Sequence, residues 1–259
     1  MRFQNILTAK CIAILLCISC QSDQGVLGTP NPPQLVTYPT SVTLAGKALH
    51  YRVSLPDEAS RPDAGWPLLL FLHGSGERGT DIAQLEVHGP LRLVGDIPEL
   101  SQCVIVVPQC PQDAWWEPEP LKTLIDEVRA VGGIDDARIY VTGLSMGGYG
   151  TWGLLARYPG LFAGAIPICG GGDVRRIWKG MPSHFELEKL LQAKAVPIHA
   201  FHGEEDNTVP VEESRLLIDA LTDVGSNAQL TAYPGVGHDS WTQTYAEPAL
   251  YKWLFAQSL

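Results

Sequence analysis

Several patterns of metal and nucleotide chemistry are absent from this 259-residue sequence. Beyond Cys20 there is no C-x-x-C pair, no H-E-x-x-H segment and no close cluster of histidines and cysteines, which argues against a zinc site. The glycine run 170–172 is not followed by G-K-S or G-K-T, so it predicts a turn rather than a phosphate-binding loop. We therefore expect no metal and no organic cofactor.

Basic residues are scarce. The chain has 18 Lys and Arg against 28 Asp and Glu, a formal net charge of −10. Removal of residues 1–19 would take away Arg2 and Lys10 and no acidic residue, leaving 16 basic and 28 acidic residues, a net charge of −12. An acidic surface argues against nucleic acid or anionic lipid as the main partner.

The apolar run at the amino terminus, Cys11–Ile18, is too short to span a bilayer but is typical of an export signal. The segment 16–20, LCISC, resembles a bacterial lipobox, with Cys17 in place of the usual leucine. The resemblance implies cleavage after Ser19 and lipid attachment to Cys20. We expect an exported protein, either a membrane-anchored lipoprotein or a plainly secreted or periplasmic one.

Composition predicts three regions: a signal peptide of the lipoprotein type at 1–19, a proline-rich linker at 20–39 and a single domain of about 220 residues at 40–259. Within the domain, 40–55 alternates like an antiparallel hairpin. Six buried-type strands and five helices then interleave. The strands are Trp66–Leu72, Cys103–Val107, Arg138–Thr142, Ala163–Ile168, Val196–Phe201 and Ala228–Tyr233, and the helices are Leu121–Val131, Gly148–Tyr158, Phe185–Ala193, Glu212–Asp223 and Thr244–Gln257. This pattern predicts an α/β fold with a mostly parallel eight-stranded sheet and helices on both faces.

Few cysteines remain in the predicted domain. Cys103, Cys110 and Cys169 are an odd number, so at most one disulfide forms and one thiol stays free. Cys110 and Cys169 each follow a predicted strand on the same side of the sheet. They are the expected pair if a bridge forms.

The strongest local signal is G-x-S-x-G at 143–147, directly after a β-branched strand and before a helix. This context is typical of a nucleophile elbow, in which a tight turn exposes the Ser145 hydroxyl. The turn places the backbone N–H of Met146 at the start of a helix, where it can stabilise an oxyanion.

Two further loops follow predicted strands at the same edge of the sheet. The loop 202–210 contains Asp206, and the loop 235–241 contains His238. The order Ser145, Asp206, His238 is that of a nucleophile, acid and base along an α/β-hydrolase chain. Glu204 and Glu205 are the alternative acids.

Four segments together resemble exported esterases of the α/β-hydrolase superfamily: HGSGERGTD at 73–81, GLSMGGYGTW at 143–152, HGEEDNTVP at 202–210 and GVGHDSW at 235–241. Within that superfamily they resemble the feruloyl and acetyl xylan esterases, polyhydroxybutyrate depolymerases and dienelactone-hydrolase-like proteins, often labelled prolyl-oligopeptidase-family peptidases. The resemblance covers about residues 40–258.

The resemblance implies that the HG-type loop supplies a second oxyanion donor, the N–H of Ser75, with Gly74 and Gly76 as alternatives. Arg78 either contacts substrate or belongs to a local ion-pair set with Glu77 and Asp81. His73 is expected to be structural.

Aromatic side chains follow the strands on the same side. Trp241 lies three residues after His238, and Trp115 and Trp116 follow the strand 103–107. Their rings would suit a sugar or a phenolic acid, or would only pack loops against the domain. The insertion between Gly170 and Lys194 is long enough for a small cap and too short for a long lid.

We therefore expect a serine carboxylesterase that forms an acyl-enzyme on Ser145, with acetyl or feruloyl esters of polysaccharides as substrates. The alternatives are a serine peptidase of prolyl-oligopeptidase type, a polyester hydrolase and a non-catalytic glycan-binding lipoprotein. The expected partner is a small-molecule or polysaccharide ester. Membrane contact would come only through the lipid anchor.

Overall fold

The computed structural model describes residues 32–179, 183 and 185–259. The predicted signal peptide, Cys20 and most of the predicted linker lie outside the described residues. Strand Gln34–Leu44 includes residues 34–39 of the stretch 20–39 that the sequence predicts as linker. No helix in the described ranges is long and apolar enough to cross a membrane.

The sheet has eight strands, as predicted, and they are β1 (Gln34–Leu44), β2 (Lys47–Leu55), β3 (Trp66–Leu72), β4 (Val104–Gln109), β5 (Ile134–Leu144), β6 (Gly164–Ile168), β7 (His199–Gly203) and β8 (Gln229–Tyr233). Their spatial order is β1-β2-β4-β3-β5-β6-β7-β8. The pairs β1–β2 and β2–β4 are antiparallel, and the rest of the sheet is parallel. The predicted mostly parallel sheet is confirmed.

The α-helices are α1 (Pro118–Val131), α2 (Met146–Arg157), α3 (Leu187–Leu190), α4 (Glu212–Asp223), α5 (Trp241–Tyr245) and α6 (Pro248–Phe255). The sequence predicts one helix over 244–257, and this is wrong at its start. Pro248 has no backbone N–H and disfavours helical geometry in the residue before it, so α5 ends and α6 begins there. The Glu247 carboxylate caps α6 by accepting the N–H of Ala249.

Both faces of the sheet are covered by apolar cores. Every residue of β3 is buried, and its side chains alternate between the two cores. Leu68, Leu70 and Leu72 belong to the core that also contains residues of α1, α2 and α4, whereas Leu69 and Phe71 belong to the core that contains residues of α6. A strand that is apolar at every position therefore belongs to the middle of the sheet.

The expected disulfide between Cys110 and Cys169 is absent, and Cys103, Cys110 and Cys169 are all buried free thiols. Cys110 follows β4 and Cys169 follows β6, with β3 and β5 lying between these strands. Three strand spacings amount to about 14 Å. A disulfide requires Cα atoms within about 7 Å of each other. Both cysteines lie at the same edge of the sheet, but the strands that they follow are not neighbours.

Candidate active site

Ser145 lies in the turn between β5 and α2 with φ 53° and ψ −115°, a conformation that a residue with a side chain rarely adopts. Its backbone N–H donates to Ile168 O at 3.0 Å, which fixes the turn against β6. A Cβ atom at Gly143 would lie 2.3 Å from Gly147 O, and one at Gly147 would lie 1.9 Å from Leu72 O. Only glycine fits at these two positions, so the strained turn depends on both.

His238 joins the serine to the acid loop. Its Nε2 lies 2.9 Å from Ser145 Oγ and its Nδ1 lies 2.7 Å from Asp206 Oδ2. Because the carboxylate can only accept, Nδ1 carries the hydrogen and Nε2 is free to accept the serine hydroxyl. The three side chains singled out by the sequence are therefore brought together, with the hydrogen bonds that a nucleophile, base and acid require.

Asp206 is buried in a cradle of donors. Its Oδ1 accepts the N–H groups of Thr208 and Val209 at 2.8 and 2.9 Å. Burial opposes ionisation, but hydrogen bonds from His202, His238 and these two N–H groups outweigh it and hold the pKa of Asp206 well below its usual range. The carboxylate is therefore ionised at neutral pH.

The alternative acids are excluded by their exposure. Glu204 and Glu205 are both exposed, and the Glu204 carboxylate pairs with Arg215 at 3.2 Å. The backbone N–H of Glu204 donates to Tyr233 O at the end of β8, and that of Glu205 donates to Val236 O in the histidine loop. These residues hold the two loops together without presenting a carboxylate to the site.

The two expected oxyanion donors begin two different helices. Met146 N–H is at the first position of α2, and Ser75 N–H is at the first position of a 3-10 helix, Ser75–Glu77. First-turn N–H groups have no partner within their own helix, so both are free to bind an anion. A Cβ atom at Gly74 would lie 3.7 Å from Ser145 Cβ, which places this loop against the nucleophile.

His73 is buried and anchors the loop 73–81, which carries Ser75. His73 Nδ1 donates to Gly74 O at 2.6 Å, and His73 Nε2 accepts the N–H of Cys110 at 3.0 Å. Because an acceptor and a donor face its two nitrogens, the ring is neutral, and burial lowers its pKa to about 4. His73 is structural, as the sequence predicts.

Arg78 also anchors the loop 73–81, through hydrogen bonds to two backbone carbonyls. Its Nε donates to Ser75 O at 3.0 Å and its guanidinium donates to Ala114 O at 3.1 Å. The expected ion-pair set with Glu77 and Asp81 is replaced by these bonds to backbone carbonyls, while Asp81 caps the next 3-10 helix. Arg78 therefore fixes the loop that carries Ser75, one of the two expected oxyanion donors.

The three tryptophans have different environments. Trp116 is buried, and its indole N–H donates to His73 O at 3.1 Å, which favours loop packing, the other of the two roles considered for it. Trp115 is half-buried and its ring lies edge-on to Tyr149 and beside Trp178. Trp241 is half-buried with its ring 5.4 Å from that of His238.

A cleft of about 220 Å³ is lined by Trp241. Its walls include the His88 ring, 5.6 Å from the Trp241 ring, and its rim carries Arg92. The cleft has room for one ring-sized group beside Trp241, whose other neighbour is the His238 ring.

One residue at the site was missed by sequence reasoning. His202 lies near the end of β7, and its Nε2 lies 3.3 Å from the Asp206 oxygen that also binds His238. The spacing H-G-x-x-D, with a polar aromatic side chain four residues before the acid, was the available signal. In the described part of the chain, no group of three or more His, Cys, Asp and Glu side chains is arranged to hold a metal ion.

Several known proteins are similar to this chain in sequence. A probable carboxylesterase, SOBER1-like, of Arabidopsis thaliana is 33% identical over 107 residues, covering 41% of this chain and 38% of the relative. The poly(3-hydroxyalkanoate) depolymerase C of Paucimonas lemoignei is 49% identical over 51 residues, covering 20% of this chain and 12% of the relative. The alignments thus span well under half the length of these two relatives.

A solved structure of a thermostable esterase matches with a TM-score of 0.70 and 34% sequence identity, covering 88% of this chain and 64% of that chain. The family profile for Phospholipase/Carboxylesterase proteins matches residues 117–249, just over half of the sequence. This segment contains the elbow, the acid loop and the histidine loop. The chain therefore belongs to the phospholipase/carboxylesterase family and has the α/β-hydrolase fold.

Proposed function

We propose that this protein is a serine hydrolase of carboxylic esters and that it works through an acyl-enzyme on Ser145. The observation that carries the proposal is the position of His238, within hydrogen-bond distance of both Ser145 Oγ and Asp206 Oδ2. A serine hydroxyl is a weak nucleophile unless an adjacent base removes its proton during attack.

The proposed reaction has two halves. Ser145 Oγ attacks the ester carbonyl while His238 Nε2 takes its proton, and the tetrahedral oxyanion is bound by the N–H groups of Met146 and Ser75. His238 then gives the proton to the leaving alkoxide. Water, activated by the same nitrogen, hydrolyses the acyl-enzyme and restores Ser145. Asp206 stays ionised throughout and stabilises the imidazolium.

The proposed substrates are acetyl or feruloyl esters on polysaccharides. The support lies in the size and shape of the surroundings: Trp241 offers a ring beside the base, and the adjoining cleft of about 220 Å³ suits one ring rather than a long acyl chain. Trp115 offers a second half-buried ring at the loop after β4.

The test is hydrolysis by the purified domain of p-nitrophenyl acetate, butyrate and palmitate, methyl ferulate, acetylated xylan and a peptide p-nitroanilide. The proposal expects turnover of acetate or ferulate esters, weak turnover of palmitate, and loss of both in Ser145→Ala. Turnover of the anilide alone would establish a peptidase. Binding to xylan with no turnover of any substrate would favour a non-catalytic glycan-binding protein.

Polyester hydrolysis is the second candidate, because the depolymerase match is the most identical of the two curated relatives reported, although it covers a fifth of this chain. Release of hydroxybutyrate from poly(3-hydroxybutyrate) granules, with little activity on acetylated xylan, would favour it. The reverse pattern would favour the polysaccharide ester.

Export and lipid attachment at Cys20 are also proposed. Their support is the apolar run Cys11–Ile18 and the lipobox-like segment that follows. Expression of the full chain in a bacterium fed labelled palmitate tests them. Label on the wild type and none on Cys20→Ser is expected, whereas unlabelled protein in the medium would indicate plain secretion.

A further inference from the structure

The Asp206 carboxylate has two imidazoles on one oxygen. His238 Nδ1 lies 2.7 Å from Asp206 Oδ2, and His202 Nε2 lies 3.3 Å from the same atom. The side chains of His202 and Asp206 are both fully buried, whereas His238 is 23% exposed. A second buried imidazole at the acid is an expensive arrangement unless its hydrogen bonds are satisfied.

The surroundings of His202 determine where its hydrogen lies. Nε2 faces two acceptors, Asp206 Oδ2 and Val209 O, the latter at 2.8 Å, and neither of them can donate. Nε2 must therefore carry a hydrogen, which bonds to Val209 O and lies within reach of Asp206 Oδ2. Nδ1 lies 2.8 Å from Ser214 Oγ, which can act as donor or acceptor.

The Ser214 hydroxyl completes the chain of contacts. It also lies 3.2 Å from Gly170 O, so it can point at either His202 or this carbonyl. Gly170 follows the end of β6, next to the strand that holds the nucleophile turn. The network runs from Gly170 through Ser214 and His202 to Asp206, and then through His238 to Ser145.

We propose that His202 is a positioning residue that acts on catalysis through Asp206, by donating its Nε2–H to the oxygen that holds His238. This inference rests on the proposed function. Asp206 then has four donors: two backbone N–H groups on Oδ1 and two imidazoles on Oδ2. The His202 donor fixes the plane of the carboxylate and withdraws part of its negative charge. The remaining charge sets how strongly Asp206 stabilises protonated His238.

Other titratable groups face this network without competing with His202. Tyr149 on α2 and Cys169 after β6 both have their pKa raised by burial, so they are neutral in the working range. Glu213 on α4 is paired with Arg176, and Asp239 is exposed and accepts from Thr242. Glu205 in the acid loop is exposed. Changes at low pH that depend on His202 therefore pass through Asp206.

The inference predicts a shift in the acidic limb of the pH profile of kcat/KM. Removing the donor in His202→Leu leaves more charge on Asp206 for His238, so protonated His238 becomes more stable and the limb moves up by about half a pH unit. His202→Gln places an amide nitrogen near the same point and is expected to keep the wild-type limb.

Ser214→Ala is the matched control, because it removes the other partner of His202 and leaves the donor to Asp206 in place. It is expected to lower Tm while the acidic limb stays at its wild-type position. If His202→Leu and Ser214→Ala both lose stability and neither moves the limb, His202 is only structural and the inference is wrong. A shift in His202→Gln as large as in His202→Leu would also contradict it.

A second measurement needs no variant. In wild-type protein with 15N-labelled histidine, the ring nitrogen shifts of His202 should show Nε2 protonated, with a coupling to its directly attached hydrogen. An unprotonated Nε2 would overturn the inference. If no ester is hydrolysed and Ser145 does not react, the proposed function fails, yet this spectrum still decides the hydrogen's position.

Discussion

The acid loop, 202–210, and the oxyanion loop, 73–81, are built differently. The acid loop reaches Ser145 through His238, whereas the oxyanion loop lies against it at Gly74. Asp206 in the acid loop is buried, its carboxylate accepts hydrogen bonds from Thr208, Val209 and His238, and His202 Nε2 lies 3.3 Å from it. In the oxyanion loop, Ser75 and Gly76 are exposed, and the holding groups are His73 below and Arg78 above. The acid that orients the base is buried, whereas the loop that must admit substrate is exposed and is held in place by its neighbours.

The largest expected effect is on the acid side. Asp206→Asn replaces an acceptor at Oδ2 by an amide that can donate, so His238 no longer keeps its hydrogen on Nδ1 and cannot accept from Ser145. We expect kcat on p-nitrophenyl acetate to fall by about 10⁴-fold. The amide oxygen can still accept the N–H groups of Thr208 and Val209, but the amide nitrogen would face the Nε2–H of His202, so Tm should fall by a few degrees while the protein stays folded. A loss under tenfold in folded protein would contradict this role for Asp206.

The next effect is on the oxyanion side and concerns stability against pH. The unfolded chain protonates His73 near pH 6.5, whereas the folded chain keeps it neutral down to about pH 4. The unfolded state thus binds more protons in this window, and stability falls as the pH drops from 6.5 to 4, by about 3 kcal/mol. Above pH 6.5 and below pH 4 this residue adds no slope.

Urea unfolding at pH 7.5, 5.5 and 4.5 checks this expectation, with His73→Asn as the non-titrating comparison. The variant should show a shallower slope, and the remainder would come in part from His199, whose pKa burial also lowers. Equal slopes for the two proteins would show that His73 is not the source.

A smaller effect is expected at Arg78. Arg78→Ala removes the bonds to Ser75 O and Ala114 O and lets the loop move, so the Ser75 N–H no longer meets the oxyanion. We expect kcat to fall by about ten- to a hundredfold, less than the loss for a deleted donor. KM should change little, since the interaction forms in the transition state. Arg78→Lys cannot bridge both carbonyls and should be intermediate. A change in KM alone would assign Arg78 to substrate binding.

The smallest effects separate two tryptophans. Trp116→Phe removes the N–H that donates to His73 O and should cost about 1 kcal/mol of stability with no change in KM. Trp241→Ala should leave Tm nearly unchanged and raise KM for methyl ferulate about fivefold through loss of ring contact. Thermal unfolding and steady-state kinetics on both variants check the pair. The opposite pattern would exchange their roles.

Much of the fold was predictable, because β3 is apolar throughout and the elbow pattern fixes a strand, a turn and a helix. The broken helix at Pro248 was also readable from the chain, although the prediction ran through it. The spatial order of the strands was not readable. It depends on how crossovers pack, and it separates Cys110 from Cys169 by two strands.

At the site, sequence order placed Ser145, Asp206 and His238 because each follows a strand at the same edge. It did not show which side chains turn inward. Trp115 and Trp116 are neighbours in the chain, yet only Trp116 points under the oxyanion loop, where its N–H finds His73 O. His202 was missed because its role depends on the packing of α4, which brings Ser214 to its other nitrogen.

The most direct test of the account is covalent labelling with a fluorophosphonate, followed by mass spectrometry of the peptides. The account predicts a single adduct on Ser145 in the wild type, much slower labelling in Asp206→Asn and none in Ser145→Ala. An adduct on another serine, or folded wild-type protein that stays unlabelled, would contradict the claim that Ser145 is an activated nucleophile.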